Sequence, residues 1–162
     1  MSRPKRTITS GTFFITSVTA QRRRLFLHAS KAELFLETLQ HYRRNGLYKL
    51  HAFVVMPDHV HLLMTTNDLP GAMKHLRGGF SRKLPNVLAI WQGGYTDRLI
   101  QSREDYLTHL DYIHQNPVRA RLCERPEDYP YSSAGRRLPI SPRAMKGQSF
   151  FTDKSYSGFP IS

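Results

Sequence analysis

The sequence predicts an α+β fold, a ferredoxin-like split βαβ antiparallel sheet with an added C-terminal helix. Two observations carry that prediction. Apolar periodicity alternates between the two-residue and the 3.6-residue pattern in the order strand, helix, strand, strand, helix, strand, helix. The segments of helical period open on cap residues and close at glycine or proline. A chain of 162 residues suits one domain with a core of its own.

Each element has its own justification. The stretch 11–20, "GTFFITSVTA", is aromatic and β-branched and reads as a strand buried on both faces. In 30–46, "SKAELFLETLQHYRRNG", Ser30 and Glu33 have the spacing of a capping box, while Phe35, Leu39 and Tyr42 share one face. Asn45-Gly46 is the stop signal. Residues 47–56, "LYKLHAFVVM", form a second strand, Pro57-Asp58 a turn, and 59–66, "HVHLLMTT", a third strand paired to the second. The helix over 67–84 starts on Asp68 as cap with Pro70 in its first turn, and Met73, Leu76, Phe80 and Leu84 form its stripe. Gly78 and Gly79 interrupt it, which fits either a close backbone approach or a kink. A short fourth strand is expected over 93–100. The last helix, 102–117, is capped by Ser102 with Asp105 and is expected to end near Asn116, because a residue before proline avoids the α conformation. The domain therefore spans 1–135. Residues 136–162 are basic, rich in Pro, Ser and Gly and without periodicity, and are expected to form a tail that is flexible or contacts nucleic acid.

Charge narrows the partners. The chain has 24 Lys+Arg against 12 Asp+Glu, a formal charge of +12, and its first acidic residue is Glu33. Such a surface attracts polyanions, nucleic acid above all. Arg3, Lys5 and Arg6 in the N-terminal arm, Arg22, Arg23 and Arg24 in a turn, and Lys74, Arg77 and Arg82 on the polar side of the second helix are the candidate DNA contacts. Cys123 is the one cysteine, so no internal disulfide can form, and a reducing compartment is expected. Apolar runs are far shorter than the roughly 20 residues of a membrane span, and no apolar segment follows the basic start. A cytoplasmic protein without membrane attachment is the expectation.

The chemistry is concentrated in two segments. Alternation on a strand puts His59 and His61 on one face, with Val60 and Leu62 on the other; two such side chains lie about 6–7 Å apart and can converge on one cation. The same pair also fits two core histidines satisfied by hydrogen bonds. On the last helix Asp105, His109, Tyr112 and Asn116 fall on one face, with Tyr106, Leu110 and Ile113 on the apolar side. The Asn116 amide oxygen is a reasonable third metal ligand, and the Tyr112 phenol, one turn away, a candidate nucleophile. His109, three residues before Tyr112, is a candidate general base, although the spacing favours a residue that only touches nucleic acid or the sheet.

"PDHVHLL" together with "DYIHQNPVRA" resembles the REP-associated tyrosine transposases, single-tyrosine HUH (His-hydrophobic-His) transposases of bacterial insertion elements. The resemblance covers about residues 8–135 and includes "WQGGYTDRLI" and "PEDYPYSSA". It implies a ferredoxin-like core, His59, His61 and Asn116 as ligands of a divalent metal, Mg²⁺ or Mn²⁺, and Tyr112 as the nucleophile. It further implies single-stranded DNA hairpins of the repetitive extragenic palindromic type as substrate, DNA as the nucleic acid for a contacting tail, a 5′-phosphotyrosine intermediate that can be rejoined, and action as a monomer or homodimer. Arg121 departs from the family pattern, since many relatives have glycine there, which puts the turn leaving the helix in question. Two other readings use the same residues: a nucleic-acid-binding module without chemistry, and a metal-dependent hydrolase that does not need Tyr112.

Overall fold

The computed structural model describes residues 8–85, 89–136 and 138. Four strands, β1 (Gly11–Val18), β2 (Lys49–Val55), β3 (His59–Thr66) and β4 (Thr96–Leu99), form one antiparallel sheet in the order β2-β3-β1-β4. Helices α1 (Ala29–Arg44) and α2 (Leu69–Arg82) lie between strands in the chain, and α3 (Arg103–Arg119) follows β4. This is the expected split βαβ arrangement, with the hairpin β2–β3 returning beside β1.

Alternation sorts the strand residues between two apolar layers. Phe13, Ile15, Val60, Leu62 and Met64 join Phe35, Leu36 and Leu39 of α1 and Met73, Leu76 and Phe80 of α2 in the larger core. On the other face Ala52, Val54 and Leu63 meet Tyr106 and Ile113 of α3, with Leu110 half-buried beside them. Helix α3 therefore covers the sheet face that carries His59 and His61.

Some boundaries differ from the sequence expectation. The Ser30–Glu33 capping box does not form: α1 begins at Ala29 behind His28, directly after a 3-10 turn over Leu25–Leu27, and no side chain caps it. Glu33 instead accepts two 2.8 Å hydrogen bonds from the Arg136 guanidinium, a bidentate pair that outcompetes a neutral backbone donor. The caps of the other two helices are as expected, with Gly71 N–H donating to Asp68 and Asp105 N–H to Ser102. Strand β4 is confined to 96–99, since the chain turns at Gly94 with φ +72°.

Helix α3 runs past Asn116 with Pro117 inside it, to Arg119. Two backbone bonds then close it, Leu122 N–H to Pro117 O (2.9 Å) and Arg121 N–H to Val118 O (2.9 Å), the Schellman pattern. Arg121 is the left-handed residue this motif requires, with φ +59°. The turn favoured by glycine is thus kept by an arginine, at a local conformational cost. Of the glycine pair in α2, Gly79 is a close-approach site, but the approaching group is the Tyr42 ring of α1: a Cβ on Gly79 would lie 2.5 Å from the Tyr42 oxygen.

Candidate active site

His59 and His61 stand at the start of β3, opposite Val18 and Thr16 of β1. Their rings lie 4.7 Å apart, centroid to centroid, inclined at 75°. Each ring is anchored through Nδ1. His59 Nδ1–H donates to Asp58 Oδ1 at 2.7 Å, and His61 Nδ1 shares a 2.8 Å hydrogen bond with Thr16 Oγ1. A carboxylate acceptor requires a proton on Nδ1, which leaves Nε2 as the nitrogen able to offer a lone pair. Burial, helped by the His59 charge, pushes His61 down to about 3, so its imidazole is neutral at physiological pH.

Asp58 is itself supported. The Arg22 guanidinium reaches its other oxygen at 3.4 Å, and the Asp58 backbone carbonyl accepts from Thr19 N–H and Thr19 Oγ1–H at 2.9 Å each. Burial alone would raise the Asp58 pKa, but the His59 hydrogen bond and charge, together with Arg22, hold it below the ordinary carboxylate range. To reach Asp58 the turn after β1 takes two consecutive non-glycine residues, Gln21 and Arg22, into the left-handed region, with φ +56° and +49°. Strain of about 1–2 kcal/mol per residue is characteristic of such positions.

Tyr112 comes to this pair from α3. Its ring stands edge-on to His61, with centroids 5.4 Å apart, and it is 37% exposed. Phe14 of β1 is the floor of the site: it stacks on His61 at 5.2 Å and 23° and meets Tyr112 at 5.8 Å and His109 at 4.8 Å. His109 uses Nδ1–H to donate to the Asp105 backbone carbonyl at 2.8 Å, with the Asp105 carboxylate at 3.1 Å. Asp105 also binds Arg98 of β4 at 3.3 Å. Of the expected helix face, the two residues nearest the N-terminus are therefore bound to each other. Asn116 is half-buried, one turn beyond Tyr112.

The donor set fits a divalent cation. Two imidazoles anchored through Nδ1, one of them by a carboxylate, are a usual way for a protein to present nitrogen ligands. Among the described residues no group of three His, Cys, Asp or Glu converges, and the Asn116 amide oxygen is a candidate ligand of another type.

The candidate DNA contacts differ in how free they are. Arg24, Lys74 and Arg82 are exposed. Arg22 is tied to Asp58, and Arg23 donates to the backbone carbonyls of Ala20 and Ala89. Arg77 donates to Gln92 O at 2.6 Å and lies over the Trp91 and Tyr95 rings, so it holds the 91–95 segment. Arg3, Lys5 and Arg6, and the tail beyond residue 138, lie outside the described residues. Arg136 and Leu138 belong to the folded part: Arg136 binds Glu33, and the Leu138 carbonyl accepts from Arg43 at 3.3 Å.

Residues 8–116 match the model of the family described as transposase IS200 like. The chain belongs to this family. As an IS200-like transposase it is a DNA-processing enzyme. It is 32% identical over 157 aligned residues to a Haemophilus influenzae protein assigned as a REP-associated tyrosine transposase, with 84% of this chain and 87% of that one covered. It is 27% identical over 133 residues to the REP-associated tyrosine transposase of Escherichia coli K12, covering 80% and 79%. A solved structure of a REP-associated tyrosine transposase bound to a REP hairpin superposes with a TM-score of 0.73 over 96% of both chains at 24% identity, which establishes the shared fold. Among the described residues of this transposase no helix is long and apolar enough to cross a membrane.

Asp58, Thr16 and Phe14 are site residues that the sequence motifs did not single out. Asp58 belongs to the stretch "PDHVH", where its pairing with proline signals a turn. Thr16 and Phe14 could be found only from the β1–β3 register, which sets Thr16 opposite His61 and Phe14 opposite Leu63.

Proposed function

We propose that this transposase is a metal-dependent single-strand DNA transesterase that nicks and rejoins DNA near hairpins. Tyr112 is the nucleophile. The observation that carries this reading is the seating of the half-exposed Tyr112 ring against His61, on a helix packed over the strand that bears the histidine pair. His59, His61 and Asn116 would hold Mg²⁺ or Mn²⁺, which supplies Lewis-acid stabilisation of the charge that develops on the scissile phosphate.

Every other part of the chemistry falls to the chain itself. The Tyr112 oxygen attacks phosphorus, its proton passes to solvent or to His109, the P–O3′ bond breaks, and the leaving 3′-oxygen takes up a proton from solvent. The strand is then held as a 5′-phosphotyrosine ester. Since that ester conserves the phosphodiester bond, attack by another 3′-hydroxyl reseals DNA and returns the free phenol. Asp58 and Thr16 aim the two imidazoles, and Phe14 fixes His61 relative to Tyr112. DNA hairpins of the repetitive extragenic palindromic type are the proposed substrate. The hairpin carried by the structural neighbour and the excess of 24 basic over 12 acidic residues support this choice.

The test is incubation of a 5′-labelled and a 3′-labelled hairpin oligonucleotide with the protein and Mn²⁺, followed by denaturing electrophoresis. A shifted, protease-sensitive band on the 3′-labelled strand is the expected adduct, and Tyr112→Phe abolishes it while hairpin binding persists. Cleavage that proceeds equally in Tyr112→Phe would instead identify a hydrolase that activates water at the same histidines.

A further inference from the structure

The extension of α3 beyond Pro117 has a consequence at the site. Had the helix ended at Asn116, Arg119 would have left the face that carries Tyr112. Because Pro117, Val118 and Arg119 stay helical, Arg119 falls seven positions after Tyr112, two turns along the same face. Its guanidinium lies over the Tyr112 ring, 5.3 Å from the centroid. The Schellman closure at Leu122 and Arg121 fixes where the helix ends and therefore where Arg119 starts.

Other arginines bordering this face are committed within the protein. Arg22 binds Asp58 and Arg98 binds Asp105. Arg119 is exposed, and among the described residues no carboxylate pairs with it. A cation in the last helical turn is favoured by the helix dipole, but that explains the charge and not its place over the ring of Tyr112. We propose that Arg119 is a DNA-phosphate ligand that holds a phosphate of the substrate strand beside the Tyr112 hydroxyl. The assignment rests on Tyr112 being the nucleophile. A phosphorus atom in position for attack lies about 3–3.5 Å from the phenol oxygen, within the span of a guanidinium that covers the same ring. The planar fork of arginine suits two oxygens of one phosphate, whereas lysine supplies a point charge.

The experiment separates this assignment from that of the nucleophile. Binding of a fluorescent REP-hairpin oligonucleotide with single-stranded flanks is measured in EDTA, in a Tyr112→Phe background where no bond can form. Single neutral methylphosphonates are walked along the flanks, and the cleaved bond is mapped separately with the unmodified protein and Mn²⁺. Arg119→Ala is expected to weaken binding about fivefold to tenfold and to flatten the slope of log affinity against log salt by about 0.7. It should also become insensitive to one methylphosphonate, at the cleaved phosphate or its immediate neighbour. Arg119→Lys should recover part of the affinity and Arg119→Gln none, which guards against a fold defect in any single variant. Loss of affinity that is uniform across all methylphosphonate positions, or coupling to a phosphate remote from the cleaved bond, overturns the proposal. An adduct that persists in Tyr112→Phe would overturn the nucleophile instead, and is read from a different lane of a different assay.

Discussion

Asp58 shows how one side chain joins backbone strain to site geometry. Its Oδ1 holds His59 Nδ1–H, its Oδ2 meets Arg22, and Arg22 stands with Gln21 in the left-handed region of the turn after β1. The carboxylate fixes the His59 tautomer, and under the proposed metal role that fixes which nitrogen is offered to the cation. Outer partners of this kind are worth 10- to 100-fold in metal affinity, so Asp58→Ala should weaken Mn²⁺ binding by roughly that factor. Asp58→Asn keeps an oxygen that can accept from Nδ1–H and should lose clearly less. Titration of the metal-free protein with Mn²⁺, followed by electron paramagnetic resonance, measures both. Equal affinity in the wild type and in Asp58→Ala would remove Asp58 from the metal's surroundings.

At the scale of the element, the adjacent glycines of α2 give opposite expectations. A Cβ at Gly78 would meet only the Arg82 guanidinium at 3.2 Å, a flexible tip that can move, so Gly78→Ala should stabilise by up to about 1 kcal/mol through helix propensity. A Cβ at Gly79 would overlap the edge of the Tyr42 ring, which is wedged between α1 and α2 beside His75. Overpacking there exceeds the propensity gain, and Gly79→Ala should cost about 1–2 kcal/mol net. Urea melts of both variants check the difference in sign. The same scale explains which features local sequence could reveal. His59 with His61, and Tyr112 with Asn116, follow from the strand and helix periods, which need no partner. The Ser30–Glu33 cap does not form because α1 begins before Ser30, and Glu33 pairs instead with Arg136, 103 residues away in the chain. The Thr16–His61 pair depends on which strand lies beside β3 and in what register. Arg119 is hidden by the rule that a residue before proline avoids the α conformation, whereas α3 continues through the buried Pro117.

For the whole molecule, acid stability is set in part by a histidine outside the candidate site. His51 is the extra residue of the bulge between Leu50 and Ala52 on β2. Its Nε2 shares a 2.7 Å hydrogen bond with Thr65 Oγ1, which in turn pairs with Thr12 Oγ1 at 2.7 Å, and its ring meets Tyr106 of α3 edge-on. The chain of polar contacts thus crosses three strands beneath α3. Burial, with Lys49 and Arg43 adding like charge, pushes His51 down to about 3. The unfolded chain takes up this proton near pH 6.5, the folded chain only near 3, so between those values the unfolded state binds more protons. Stability contributed by the neutral ring is therefore complete above pH 6.5 and is lost as the pH falls toward 3. Between pH 7 and pH 5 the loss from this one group is about 2 kcal/mol. His51→Gln retains a polar side chain directed at Thr65 but does not titrate. Its unfolding free energy should start below that of the wild type at pH 7 and fall less steeply on acidification, by about 2 kcal/mol over the same interval. Denaturant melts at pH 7, 6 and 5 measure both slopes, and parallel curves for the two proteins would show that His51 does not govern the acid limb.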